Sequence, residues 1–205
     1  MAVAWTPHRF TGGVLALDTT NTVVLRGDAE KSFDRFADAS EIARFAQAAT
    51  GFRAEELGRR SLSVADPQGI HGLVVEIRET TDRLFRDATL QGSMRTDALA
   101  DFLHATSRAL KGKADRVGDP SEPFGDGNQP MPFEAALAVS ALSLLPAERH
   151  RRIRICQNCR WLFFDRSRNS SRLWCDMAVC GNRNKARRHY QRRRASNEDT
   201  AHGEH

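Results

Sequence analysis

All four cysteines of this 205-residue chain fall within one stretch of 25 residues: Cys156-Gln-Asn-Cys159, then Cys175 after fifteen intervening residues, then Cys180 after four more. The chain opens Met-Ala-Val-Ala-Trp-Thr-Pro-His-Arg-Phe, with no apolar run long enough for a signal peptide or a membrane span. The expected setting is therefore a reducing cytoplasm with no membrane partner. There, paired cysteines at this spacing read as metal ligands rather than cystines. Zinc takes four thiolates tetrahedrally at about 2.3 Å. A Cys-x-x-Cys knuckle offers two ligands from one turn, and fifteen residues suffice for a hairpin that returns the chain with the other two. A thioredoxin-like redox pair would need a βαβ setting and would leave Cys175 and Cys180 without a role. The expectation is one structural Zn2+ held by Cys156, Cys159, Cys175 and Cys180, with His150 and His189 as surface residues. A catalytic zinc keeps an open position, and four thiolates leave none, so no chemistry is expected at the metal.

Charge is the second constraint. From Arg149 to Arg194 the chain carries fifteen Arg or Lys against two acids, Asp165 and Asp176. Residues 1–148 hold sixteen basic and twenty-one acidic residues, and 195–205 hold three acids and no Arg or Lys, which is how the whole chain comes to only +5. So concentrated a patch attracts polyphosphate and makes its binding salt-dependent. Wound as a helix, Asn182 to Arg194 sets Ala186 and Tyr190 together at i, i+4, while Lys185, Arg188 and Arg192 gather on the opposite side. Arg183, Arg187, Arg193 and Arg194 flank them. Arginine suits bidentate contacts to phosphate or guanine edges, and the residues read as nucleic-acid-binding are Arg183, Lys185, Arg187, Arg188, Arg192 and Arg193.

Around the ligands, Ile153 and Ile155 alternate with Arg152 and Arg154, the pattern of a short strand. Trp161-Leu162-Phe163-Phe164 suits a second strand whose rings cover the metal. Trp161 and Trp174 read as core in so small a module. Gly181 removes a Cβ where the chain leaves Cys180, Asn182 reads as a cap for the helix beyond it, and Asp165 either orients an arginine or caps the Ser167-Arg168-Asn169 turn.

These residues carry a resemblance. Cys180-Gly181-Asn182-Arg183 spells the signature of the CGNR zinc fingers, and Trp161 to Asp165, Ser167-Arg168-Asn169 and Trp174 to Met177 resemble the rest of that pattern, over about residues 149 to 194. In the bacterial proteins it resembles, such a finger is similar to a DNA-binding module and follows an N-terminal domain called ABATE, in stress-linked transcription regulators. Leu15-Ala16-Leu17-Asp18-Thr19-Thr20-Asn21-Thr22-Val23 resembles the opening element of that domain.

The N-terminal part reads as mostly helical. Asp66-Pro67 opens a helix with Ile70, Leu73, Val74, Ile77, Leu84 and Phe85 on one face, ended by Gly92, and Met94 to Lys111 repeats the pattern. Ser40 is placed to cap Glu41 to Thr50, with Gly51 stopping the run. Gly112 to Pro132 reads as an irregular connector and Phe133 to Leu145 as a buried helix. His71, Glu76, Arg78 and Glu79 on the long helix read as a solvated face. Asp18, Asn21 and Thr22, set among Val14, Leu15, Leu17, Val23 and Val24, either line a ligand pocket or brace the core. No phosphate-binding Gly loop, nucleophile elbow or zincin motif occurs.

The predicted architecture is mainly α: a bundle of about five helices over residues 1–148, a zinc ribbon or treble-clef-like module over 149–194 ending in a basic helix, and a disordered acidic tail over 195–205. The expected function is DNA-binding transcription regulation, with RNA or ribosome binding as the alternative and an enzyme in the N-terminal part as the third class. The helical domain is expected to sense a signal, of unspecified small-molecule identity, or to form a homodimer. Loss of zinc is expected to unfold the C-terminal module and leave the helices intact.

Overall fold

A computed structural model of the chain describes residues 3–113, 123–124, 129–186 and 190–191. Six α-helices are set out among them: α1 (Leu15–Thr20), α2 (Ser40–Phe52), α3 (Pro67–Gln91), α4 (Thr96–Leu110), α5 (Phe133–Leu142) and α6 (Ala147–His150). Three short strand pairs accompany them: β1 (Val23–Val24) antiparallel to β2 (Phe33–Asp34), β3 (Leu62–Ser63) parallel to β4 (Met131–Pro132), and β5 (Ile153–Ile155) antiparallel to β6 (Leu162–Phe164). The chain is mainly helical, with a cysteine-rich C-terminal hairpin.

The long helix α3 begins where Asp66 accepts a hydrogen bond from the Gly69 amide with Pro67 in the first turn, and it ends where Gly92 takes φ +74°. Both ends are legible in the sequence, because proline tolerates the first turn and glycine the left-handed position after the last. Helix α2 departs from the sequence reading at both ends. Asp38, not Ser40, provides the cap, accepting from the Ser40 amide at 2.9 Å. Nor does Gly51 stop the helix, which runs on to Phe52. A helical glycine costs only about 1 kcal/mol, and Phe52 packs on Phe10 with ring centroids 4.6 Å apart, which offsets it.

Helix α5 is buried from Phe133 to Ala141, as its unbroken apolar sequence requires. It packs against α4 and α1, while α3 lies along α4 and α1. Edge-on ring contacts tie the layers together, Phe45 to Phe133 at 5.9 Å and Phe85 to Phe102 at 5.8 Å. The solvated-face reading of α3 fails at Arg78, which is 3 % exposed. Its guanidinium forks onto both Asp34 oxygens at 2.7 Å and also donates to Thr22 Oγ1 and Glu79. His71 Nε2 likewise turns inward to the Phe36 carbonyl at 2.8 Å. Periodicity does not separate a buried, forked arginine from an exposed one.

The β5–β6 hairpin divides its two faces between two cores. Ile153, Ile155, Leu162 and Phe164 lie on the face that packs with the helices, and Phe163 lies on the other, beside the cysteines. Alternation along a strand makes that division unavoidable. The expected boundary between 148 and 149 falls inside α6, and the apolar core runs past it, since Ile153 and Leu162 are buried with α1 and α3. The expectation that the whole aromatic run covers the metal is corrected: Leu162 and Phe164 serve the helical core instead.

Candidate metal centre

Cys156 and Cys159 bracket a turn closed by the Arg160 amide on the Cys156 carbonyl at 3.0 Å. Arg160 ends that turn with φ +64°, a left-handed conformation unfavourable for a side chain with a Cβ. Arg86 of α3 holds it by donating to the Arg160 carbonyl at 2.9 Å. The returning chain is tied back where the Gln157 amide donates to Leu173 at 3.0 Å, bringing Cys175 to the knuckle. Residues Met177–Gly181 then form one wide π-type turn, in which the Gly181 amide reaches back to the Asp176 carbonyl at 3.1 Å and carries Cys180 to the same point. Asp176 caps that turn through the Ala178 and Val179 amides.

The result brings all four sequence-predicted ligands together. Their Sγ atoms lie within 4.8 Å of one another, with Cys159 to Cys175 at 3.6 Å and Cys175 to Cys180 at 3.7 Å. Disulfide sulfurs would stand about 2.05 Å apart. Sulfurs placed tetrahedrally 2.3 Å from a zinc ion would stand about 3.8 Å apart. The four thiols therefore fit one structural Zn2+, with no open position for a reacting group. Three of them are buried and Cys159 is partly so, and Phe163 and Trp174 cover them. Without the metal, hydrogen bonds from Cys159 and Cys175 pull the Cys156 thiol far below its usual range, and the bond to Cys156 pushes Cys159 up to about 12. Metal binding must displace such protons, so it weakens as pH falls.

Supporting residues fix this geometry. Asp165, fully buried, accepts from the Ser167 and Arg172 amides at 2.9 Å each, so it caps the turn that the sequence placed there. Arg152 donates to the Asp165 and Ser167 carbonyls, Arg154 to Ser170, Arg166 to Gly13 and Arg172 to Cys175. Much of the basic surplus thus also holds the loop backbone. Asn182 departs from its expected role: it is already helical, and its side-chain amide donates back to the Ala178 carbonyl at 2.9 Å instead of capping a new helix. Gly181 is needed for space, since a Cβ there would stand 2.8 Å from Trp174 Cδ1 and 3.1 Å from the Met177 thioether. Gly181→Ala is expected to cost about 1–3 kcal/mol through this overpacking and to weaken zinc retention, read by titration with a colorimetric chelator. Wild-type retention in that variant would contradict the close fit.

Of the residues read as nucleic-acid-binding, Arg183 and Lys185 are exposed on the helical stretch 182–186 beyond the turn. Arg187, Arg188, Arg192 and Arg193 lie outside the described residues, as do Arg194, His189 and the 195–205 tail. His150 uses Nδ1 on the Leu145 carbonyl.

Asp18, Asn21 and Thr22 are all buried. Asp18 accepts from the Gly12 amide and from Arg53 Nε. Asn21 donates to the Leu162 carbonyl at 2.9 Å and accepts from the Leu162 amide at 3.1 Å, pairing α1 with β6 as a strand would. Thr22 donates to Thr19 and accepts from Arg78. Every one of these polar groups is engaged in bracing. Glu56 completes the set without leaving a signal in the sequence: it accepts from the Leu15 amide at 2.8 Å, at the buried start of α1, and from Ser140, which in turn accepts from Ala16. A carboxylate there satisfies amides that a buried helix start leaves without partners.

Burial pushes Asp18 up to about 6, against the pull of Arg53, and Glu56 up to about 7, against its bonds to Ser140 and Leu15. The folded chain therefore keeps these protons to higher pH than the unfolded one. Their contribution to stability is present in full below about pH 4 and is lost as pH rises through 6 to 7. At roughly 1.4 kcal/mol per pH unit of displacement, the loss reaches the order of 3 kcal/mol for each carboxyl. Denaturant midpoints of wild type and Asp18→Asn, compared at pH 5 and pH 7.5, check this, because the zinc term is common to both. The variant is expected to gain stability relative to wild type at the higher pH, and an unchanged difference would refute the assignment.

Among the described residues no helix is long and apolar enough to cross a membrane. No curated protein and no solved structure gave a significant match to the chain. Residues 152–193, which contain the hairpin, all four cysteines and the start of the basic stretch, match the CGNR zinc finger family.

Proposed function

We propose that the chain is a cytoplasmic DNA-binding transcription regulator in which zinc holds a basic finger in shape and the helical part senses a signal or pairs with a second copy. The single observation that carries this reading is the position of Arg183 and Lys185. Both are exposed, and both lie within five residues of ligand Cys180, so the metal fixes where that basic stretch leaves the hairpin. Exposed Arg151, Arg160 and Arg168 elsewhere on the finger add to the field. Arginine in such a place serves phosphate contacts, which position a protein, and guanine edges, which specify sequence. The role is one of binding rather than catalysis, since a closed tetrathiolate zinc offers no reacting position. A stress-linked role and an ABATE-type N-terminal domain belong to the same proposal and rest on the likeness of Leu15 to Val23 and of the Cys180-Gly181-Asn182-Arg183 signature.

Competition of the zinc-loaded full-length chain between labelled duplex DNA and a structured RNA of equal length tests the partner class. Preferential retention of the duplex is expected. Preference for RNA would move the function to the alternative class, because 2′-hydroxyl contacts distinguish the two.

A further inference from the structure

Where the finger meets the helical body, four cationic or donor side chains, His8, Arg9, Arg35 and Trp161, stand with a single acid, Asp176, beside them. Arg35 is 6 % exposed, yet the one hydrogen bond its guanidinium makes among the described residues runs from Nη1 to the Asn21 carbonyl at 3.2 Å. It has no carboxylate partner there. The guanidinium instead lies over the rings of Trp161 and Phe33, 5.5 Å from each centroid. Burial first, and the charge of Arg9 second, bring its pKa down to about 10.

Trp161 is also 6 % exposed, and its buried Nε1–H has no acceptor among the described residues. Arg9 Nε is likewise buried without a partner among them. The His8 ring sits 5.9 Å from that of Trp161, with Nδ1 unpartnered and 3.8 Å from an Asp176 oxygen, beyond hydrogen-bond reach. Burial first, and the charge of neighbouring Arg9 after it, hold the His8 pKa below its ordinary value against the pull of Asp176. Asp176 is the acid beside this group, and its other oxygen is committed to the Ala178 and Val179 amides.

Buried donors are nearly always paired, and a buried guanidinium without a counter-charge is costly. The chemical complement of these donors is a small oxyanion, which accepts from several donors and carries negative charge. Arginine forks and an indole N–H suit its tetrahedral oxygens. We propose that His8, Arg9, Arg35 and Trp161 form a binding site for a phosphate-class oxyanion, free or as a monoester, at the seam between the helical body and the zinc finger. Because Trp161 immediately precedes β6 and lies two residues beyond ligand Cys159, the bound anion stiffens the finger against the helices and so acts as an effector of whatever the finger binds. The binding itself does not depend on the DNA-binding reading.

The test uses zinc-loaded full-length protein with inorganic phosphate in one arm and glycerol phosphate in the other. Isothermal titration and thermal melting are run at fixed ionic strength against sodium chloride. Both arms are expected to show saturable binding and a raised midpoint, and the tighter of the two identifies the free ion or the ester. Trp161→Phe removes the indole N–H and keeps an aromatic ring in place, Arg9→Ala removes a guanidinium, and each is expected to weaken phosphate binding by at least about tenfold, the worth of one charge-assisted or buried hydrogen bond. Arg35→Lys is the third variant; should it fail to fold, the other two still decide. A midpoint that responds to phosphate no more than to chloride overturns the proposal, and so does wild-type phosphate affinity in both Arg9→Ala and Trp161→Phe.

Discussion

Cys175→Ser is expected to abolish zinc retention and to lower the stability of the whole chain, not of residues 152–193 alone. Structural zinc in isolated finger peptides contributes on the order of 10 kcal/mol or more of apparent folding free energy at neutral pH, and serine is a poor substitute for a thiolate. In an independent module that loss would stay local, as the sequence alone leads one to expect. Here the hairpin that the cysteines organise has its other face in the helical core, where Ile153 and Leu162 are buried against α1 and α3. Loss of even about 3 kcal/mol from that face would lower the melting temperature of a chain this size by roughly 6–12 °C. Calorimetry is expected to show one cooperative transition in the zinc-loaded protein and an earlier, smaller one in the variant. A helical transition left at its wild-type temperature would contradict the shared core.

The second large effect belongs to Asn21. Removing its side chain strands both the N–H and the C=O of Leu162 in the core, where each unsatisfied group costs about 1–3 kcal/mol. Asn21→Ala is therefore expected to destabilise by about 2–5 kcal/mol and to raise the rate of zinc loss, because β6 is released from α1. Asn21→Asp should be no better, since it keeps the acceptor but faces the Leu162 carbonyl with a second oxygen. Urea unfolding of the two variants checks this. A change under about 0.5 kcal/mol, the range of ordinary surface substitutions, would show that the pair carries no weight.

The features legible in the sequence are local ones. Cysteine spacing points to the ligands, since four thiols in reach of one ion leave little else to do in a short hairpin. Asp66-Pro67 and Gly92 mark the ends of α3 because capping chemistry acts within a turn. Alternation reveals β5, and the apolar run reveals β6. The pairing of faces is hidden: nothing in Trp161 to Phe164 says that Phe163 turns to the metal while Leu162 turns to the helices, because that depends on a partner more than a hundred residues away. For the same reason Arg78 passes for a surface residue although Asp34 lies against it, and Glu56 gives no sign of reaching the start of α1. The charge count identifies the finger as basic, but not that Arg152, Arg154 and Arg172 use their guanidinium groups on loop carbonyls.

That division of labour among the arginines bears on function. Those tied to the loops hold the finger's shape and add to its field, while Arg183 and Lys185, exposed beyond Cys180, are available to meet a phosphate chain. The most direct measurement is fluorescence anisotropy of the full-length chain on labelled duplex DNA as salt is raised, with and without a zinc chelator. The zinc-loaded protein is predicted to bind with an affinity whose logarithm falls linearly with that of salt, by about 0.9 for each phosphate contacted, to lose about one contact in Arg183→Ala, and to stop binding once chelated. Absence of salt-dependent binding by the zinc-loaded protein would contradict the account.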